Sequence, residues 1–167
     1  MKKIYFLFFL IPTLGLLPGD QKTKVKKENG YQVIKVIDGD TIEVSIGNQP
    51  EKVRFIGVDT PETVDPRKPV QCFGKEASDK TKKLLSEKRV LLESDPTQGN
   101  RDKYKRLLRY VYTLDGIMIN KLLVDEGYAH EYTYMSNPYK YQKEFRQAQN
   151  SARDNKRGLW GDNICKS

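Results

Sequence analysis

With 167 residues the chain has room for one hydrophobic core and none for a second catalytic domain, since single domains commonly run to roughly 100–200 residues. Its 30 Lys plus Arg against 22 Asp plus Glu leave a formal charge of +8, which favours a polyanionic partner such as nucleic acid or an anionic membrane face. The single histidine, His130, excludes zinc sites built on paired histidines and is expected in a structural or exposed role, and the two distant cysteines exclude a CxxC motif.

At the N-terminus Lys2 and Lys3 precede the apolar run IYFLFFLIPTLGLL, and the chain then turns polar at GDQKTKVKKENG. That pattern is a secretory signal peptide over residues 1–18: the run is shorter than the roughly 20 residues that span a bilayer and is weakened by Pro12 and Gly15. A retained membrane anchor is the alternative, because no small-x-small cleavage site stands before Gly19. Residues 19–30 read as a flexible tether, charged and without apolar periodicity. The folded domain is expected over residues 31–167, in a secreted or extracytoplasmic protein.

From Tyr31 the segments YQVIKVID, TIEVSIG and KVRFIGVD read as three successive strands, with Ile42, Val44 and Ile46 alternating and Asp38-Gly39 supplying a turn. GKEASDKTKKLLSE reads as a helix with Ala77, Thr81, Leu84 and Leu85 on one face. RVLLESD and LLRYVYT return as strands. MINKLLVDEGYA and KYQKEFRQAQNSARDNKRG read as two further helices, the first burying Ile119, Leu122 and Leu123, the second Tyr141, Phe145, Ala148 and Ala152, with Gly158 as its stop. Five strands with helices placed late predict a small closed or partly open barrel carrying helices on one side.

Two acidic knots, DGDT and DTPE, stand out within this frame. DGDT alone is explained as a turn, Asp40 and Thr41 bonding its backbone. DTPE could start a helix, but Pro66 and Pro69 follow too closely for one to develop. Taken together the knots place Asp40 and Asp59 at neighbouring strand ends, where two carboxylates and a backbone carbonyl can ligate a divalent cation such as Ca²⁺. Glu62, past Pro61, can reach a water beside that cation, and Arg54 with a second arginine from NRDKYKRLLRY can grip phosphate oxygens bidentately.

The segments IDGDT, VRFIGVDTPE, FGKEAS and DKYKRLLRYVY, in this order and at these separations, resemble the staphylococcal nuclease (thermonuclease) family from about Tyr31 to about Trp160. The resemblance implies an α+β fold, a five-stranded OB-fold β-barrel with three α-helices. It implies a Ca²⁺-dependent nuclease that hydrolyses the phosphodiester bonds of DNA and RNA and leaves 3′-phosphate ends. Asp40 and Asp59 would ligate Ca²⁺ by their carboxylates and Thr60 by its carbonyl. Arg54 and Arg106 would clamp the phosphate while Glu62 orients or deprotonates the attacking water. Lys103 and Tyr104 would contact a nucleotide phosphate, and Tyr132 and Tyr134 would line the base-binding side, with ordinary packing or exposure as the other reading of that pair.

The chain departs from the family pattern at Lys105, where a glycine usually precedes the second arginine, and this leaves Arg109 as an alternative partner for Arg54. An export signal makes a Cys72–Cys165 disulfide the expectation, two free thiols being the alternative. A monomer without a protein partner is expected, touching a membrane only if the leader is retained. The competing function is a non-catalytic OB-fold nucleic-acid-binding module. The enzyme is preferred because every catalytic and metal position holds the required residue type.

Overall fold

The computed structural model describes residues 30–63 and 69–165. The expected signal peptide at 1–18 and the tether at 19–30, Gly30 excepted, lie outside the described residues.

Strands β1 (Tyr31–Asp38), β2 (Thr41–Ile46) and β3 (Gln49–Phe55) form an antiparallel meander. Gly47 and Asn48 close the β2–β3 hairpin with φ of 57° and 64°, the pair of positive values that a two-residue loop needs to match strand twist. In that register Thr41 faces Arg54 and Ile42 faces Val53. Ile42, Val44, Val53 and Phe55 point inward and are fully buried or nearly so.

The expected strand KVRFIGVD is two pieces. β3 starts earlier, at Gln49, and ends at Phe55, while Val58–Asp59 forms a separate β4. Gly57 between them has φ of 74°, and a Cβ there would lie 2.6 Å from ring carbons of Tyr139, so only glycine lets the chain bend beneath that ring. β4 leaves the barrel and pairs with β7 (His130–Glu131), setting Asp59 opposite His130.

Two more strands, β5 (Arg89–Glu93) and β6 (Leu107–Thr113), close the barrel in the order β1-β2-β3-β6-β5. β6 runs parallel to β3, with Val53 beside Leu107 and Arg54 beside Leu108. Closure pairs every barrel edge, which removes the open strand edges of a flat sheet. β5 is shorter than RVLLESD: Asp95 turns inward instead to accept hydrogen bonds from Tyr110 and the Lys140 backbone.

Helices α1 (Gly74–Leu85), α2 (Ile119–Asp125) and α3 (Gln142–Asp154) complete the α+β architecture. Their inward residues follow the helical period: Ala77, Thr81 and Leu85, then Ile119 and Leu123, then Phe145, Ala148 and Ala152 are buried, with Leu84, Leu122 and Tyr141 partly so. Gly158 does not stop α3. Lys156 takes the left-handed conformation (φ 52°), and the Arg157 N–H bonds the Ala152 carbonyl at 2.9 Å, which satisfies the helix end without glycine. Gly158 serves a different contact: the Gly127 carbonyl lies 2.2 Å from where its Cβ would be and accepts the Leu159 N–H at 2.8 Å.

Candidate active site

The turn from β1 to β2 carries Asp38 and Asp40 and is seated by α1, whose Thr81 hydroxyl donates to the Gly39 carbonyl at 2.6 Å. Gly39 is needed there because a Cβ would come within 2.8 Å of the Thr60 side chain. Asp40 is buried. One of its oxygens accepts the N–H and the hydroxyl of Thr60, both at 3.0 Å, and the other accepts the Thr41 hydroxyl at 2.9 Å.

Arg54, on β3, binds both knots together. Its Nη2 stands 3.2 Å from Asp40 and 3.0 Å from Asp59, while Nη1 donates to the carbonyls of Phe55 and Val58. Its side chain is largely buried and that of Asp59 about half exposed. The three charged groups thus converge because Arg54 faces Thr41 in the β2–β3 register and β4 bends back toward it.

Burial raises two of the acids, and neighbouring negative charge adds to it. Desolvation, with added repulsion from Asp40 and Glu62, lifts the Asp38 carboxyl above its ordinary value despite hydrogen bonds from Thr63 and Gly39. Asp59 is lifted the same way, desolvation first and Asp40 and Glu62 behind it, and Arg54 offsets only part. Carboxylates that repel in a partly desolvated pocket favour a bound cation. Among the described residues no group of three His, Cys, Asp or Glu gathers as a metal cluster. The expected donors, the carboxylates of Asp40 and Asp59 and the Thr60 carbonyl, are all oxygen, a set of a kind that fits a hard cation whose remaining positions go to water and substrate.

DTPE does not begin a helix. The Glu62 carboxylate accepts the Thr63 N–H at 2.9 Å, and its backbone N–H donates to Gln71 Oε1 at 2.8 Å. Nearby, Cys72 and Cys165 are joined in a disulfide with Cα atoms 5.7 Å apart.

Arg54, Asp59, Lys103, Tyr104, Arg106, Tyr132 and Tyr134 all line one cleft of about 570 Å³. Asp40, Thr60 and Glu62 stand outside that lining; Thr60 and Asp59 border an adjoining cavity of about 430 Å³, so Asp59 is the residue the two share. Arg106 enters the cleft because Asp102 holds its backbone N–H and Nε. Lys105 has φ of 65°, the conformation a glycine would supply, so the turn is kept with a side chain in place. Arg109 is not part of the lining: it donates to Asn100 Oδ1 and to the Leu108 carbonyl, both at 2.6 Å. The Tyr104 ring lies under Lys103 and Arg106, 5.1 and 5.3 Å away. Tyr132 and Tyr134 are exposed with ring centres 6.4 Å apart, so core packing does not account for them. His130 is half-buried edge-on to Trp160, and desolvation lowers its pKa.

Several supporting residues escaped the sequence reading. Asp102 carried no periodic signal, since it meets Arg106 across a turn rather than along a helix. The bond of Thr60 to Asp40, the bond of Thr81 to the Gly39 carbonyl beyond its place on the helix face, and the bond of Gln71 to Glu62 had none, since each joins residues at least nine positions apart.

Residues 52–162 match the sequence model of the family described as Staphylococcal nuclease homologue. That match begins inside β3 and leaves Asp40 outside it. The chain is 47% identical over 135 residues to a thermonuclease of Staphylococcus hyicus, covering 81% of this chain and 78% of that protein. It is 47% identical over 138 residues to a thermonuclease of Staphylococcus intermedius, covering 83% and 79%. Endonuclease YncB of Bacillus subtilis is 41% identical over 136 residues, 81% of this chain and 63% of that protein.

Proposed function

We infer function from a plain premise: the chain belongs to the staphylococcal nuclease family. It is a nuclease, a hydrolase of phosphodiester bonds in nucleic acid. We propose that it requires Ca²⁺, accepts both DNA and RNA, leaves 3′-phosphate ends and acts as a monomer in one domain over residues 31–167. We propose further that residues 1–18 direct its export and leave it secreted. Among the described residues no helix is long and apolar enough to cross a membrane.

Asp40, Asp59 and the Thr60 carbonyl would hold the cation. Bound there, Ca²⁺ would supply Lewis-acid polarisation of a phosphoryl oxygen. Glu62 takes a proton from the attacking water as the water oxygen bonds to phosphorus. Negative charge grows on the equatorial oxygens, and Arg54 and Arg106, which line one cleft, stabilise it more than they stabilise the ground state. The P–O5′ bond then breaks, the 5′ oxygen leaves with the bonding pair and takes a proton from solvent water to become a hydroxyl, and the phosphate stays on the 3′ oxygen. Lys103 and Tyr104 steady a neighbouring phosphate, and Tyr132 and Tyr134 offer faces on which a base can stack without regard to sequence.

The observation that carries this reading is the Arg54 guanidinium bridging Asp40 and Asp59 while lining the same cleft as Arg106. The test is digestion of single-stranded DNA and RNA by the mature chain with Ca²⁺ and then with chelator, with end-group analysis of the products. Glu62→Gln should lower kcat by roughly 10²–10⁴ with little loss of substrate binding. Tight binding without cleavage under any metal would favour the non-catalytic binding module.

A further inference from the structure

The loop that carries Tyr132 and Tyr134 runs on to Tyr139 and is fastened at both ends by hydrogen bonds. At its start the Tyr132 N–H donates to the Gly57 carbonyl at 3.1 Å. At its far end the Asn137 side chain donates to the Thr97 carbonyl at 3.1 Å, and Gln98 Nε2 donates to the Pro138 carbonyl at 3.1 Å. Between those points Met135 and Ser136 are both left-handed, with φ of 46° and 58°, a conformation that costs free energy in residues other than glycine. Among the described residues, the hydrogen bonds that tie this middle stretch to the body come from Thr133.

Thr133 has extended backbone, φ −104° and ψ 105°, which sends its side chain to the opposite side from its neighbours. Tyr132 and Tyr134 are accordingly exposed and Thr133 is half-buried. The Thr133 hydroxyl donates to Glu131 Oε1 at 2.6 Å and accepts from Gln142 Nε2 at 2.7 Å. The Glu131 side chain is 10% exposed, and the same Oε1 accepts the Tyr139 hydroxyl at 3.0 Å. One carboxylate oxygen thus holds both the start and the end of the loop. Arg146 Nε stands 3.6 Å from the other oxygen, and Gln149 Oε1 accepts the Glu131 N–H at 2.8 Å. Gln142, Arg146 and Gln149 follow one side of α3 at i, i+4 and i+7, so the helix braces the loop on its buried side. A bond from a hydroxyl to a carboxylate is charge-assisted and stronger than one between neutral groups.

We propose that Glu131 is a positioning residue for base stacking: through the Thr133 hydroxyl it fixes the Tyr132–Tyr134 pair in the cleft. The proposal rests on the reading of those two tyrosines as faces for a base. In the β4–β7 pair Glu131 lies opposite Val58 and His130 opposite Asp59, so one short ladder ties the base platform to the strand that carries Asp59. Without the Thr133 hold the strained turn after Tyr134 relaxes and the rings leave their place. Stacking acts on the bound substrate and on the transition state alike, so its loss falls on KM and spares kcat. Asp40, Arg54, Asp59 and Arg106 take no side-chain hydrogen bond from Glu131 or Thr133, which leaves the groups around the phosphate in place.

The experiment is steady-state cleavage of two single-stranded substrates of equal length at saturating Ca²⁺, with circular dichroism to follow the fold. One is oligothymidylate; the other is an oligomer of abasic tetrahydrofuran units, which keeps the phosphodiesters and offers no base. The chain is compared with Thr133→Val, Glu131→Ala, the conservative variants Thr133→Ser and Glu131→Gln, and Tyr132→Ala/Tyr134→Ala. On oligothymidylate Thr133→Val and Glu131→Ala should raise KM by about 5-fold or more with kcat held within about two-fold, the lower end of what one stacked base contributes. On the abasic oligomer both should match the unaltered chain within about two-fold. Thr133→Ser keeps the hydroxyl and should behave as the unaltered chain, and Glu131→Gln, which keeps an acceptor oxygen without the charge, should lie between. Added to Tyr132→Ala/Tyr134→Ala, Thr133→Val should bring no further loss, because no platform remains to be misplaced. If Glu131→Ala fails to fold, Thr133→Val, close in volume to the native side chain, decides alone. An unchanged KM for Thr133→Val on oligothymidylate, an equal loss on the abasic oligomer, or a loss that Thr133→Ser shares overturns the proposal. A Tyr132→Ala/Tyr134→Ala variant that cleaves oligothymidylate as well as the unaltered chain overturns the reading beneath it, and the proposal with it.

Discussion

Asp102 holds Arg106 at two points, one carboxylate oxygen accepting its backbone N–H at 2.9 Å and the other its Nε–H at 2.7 Å. The first oxygen also accepts the Tyr104 N–H at 2.9 Å, so one carboxylate orders the loop that presents Lys103, Tyr104 and Arg106 to the cleft. Because the side-chain bond uses Nε, the Nη edge of the guanidinium can turn to a phosphate. Asp102→Ala should lower kcat by about 10–10²-fold through a misplaced Arg106 while leaving Ca²⁺ affinity unchanged. Steady-state kinetics with calorimetry checks this, and a loss of Ca²⁺ binding would contradict it.

Asp40 and Asp59 should separate in stability though not in activity. Each replacement by alanine removes a proposed metal ligand and should abolish Ca²⁺-dependent cleavage. Asp40 is buried and answers Thr60 twice and Thr41 once, so Asp40→Ala should also cost about 1–3 kcal/mol of folding stability. Asp59, about half exposed and bonded to Arg54 alone among those groups, should cost less. Urea melts of both variants without metal give the comparison, and equal losses would contradict the burial argument.

Lys105→Gly should keep activity and leave the fold as stable or slightly more so. A side chain in the left-handed region costs roughly 1–2 kcal/mol, and relief of that strain is offset by the roughly 0.4–1 kcal/mol that glycine adds in unfolded-chain freedom. The φ of 65° at Lys105 puts it in that region. Thermal melts read the outcome, and a marked fall in Tm would mean that the lysine side chain holds the turn.

Arg106→Lys and Arg109→Lys should behave oppositely. Lysine keeps the charge at position 106 and loses the two-pronged geometry, so kcat should fall. Arg109 is spent on Asn100 and the Leu108 carbonyl and is not among the residues that line the cleft, so its replacement should leave the rate near wild type. The reverse pattern would transfer the clamp to Arg109.

The acid limb of stability should owe part of its shape to Asp95. Burial alone would raise this carboxyl, but hydrogen bonds from the Lys140 N–H, the Tyr110 hydroxyl and Thr97 outweigh burial and hold it below its ordinary value. A depressed folded pKa stabilises above the unfolded pKa, and that stability is lost as pH falls through the folded value. Asp95→Asn should therefore cost about 1–3 kcal/mol at pH 7 and progressively less below about pH 4. Urea melts of both proteins at pH 7 and pH 3 decide it, an unchanged gap being the contrary result.

What could be read in the sequence was set by local geometry. The alternation of Ile42 and Val44 marks a strand because side chains alternate with a period of two, and the spacing of Ala77, Thr81 and Leu85 marks a helix face with a period near 3.6. Pro66 and Pro69 ruled out a helix after DTPE, and Asp40, Arg54, Asp59 and Glu62 were legible as candidates because their motif is compact. Only the tertiary structure decided which distant segments meet. The parallel pairing of β3 with β6 brings the Arg106 loop to Arg54, and β7 draws Asp59 out of the barrel. Asp95, Gln71 and the Gly127–Gly158 contact carry no periodic signal, since each acts on a residue at least nine positions away. Local backbone preferences specify a strand or a turn, but many registers satisfy the same pattern. Barrel closure and burial of one shared core select among them.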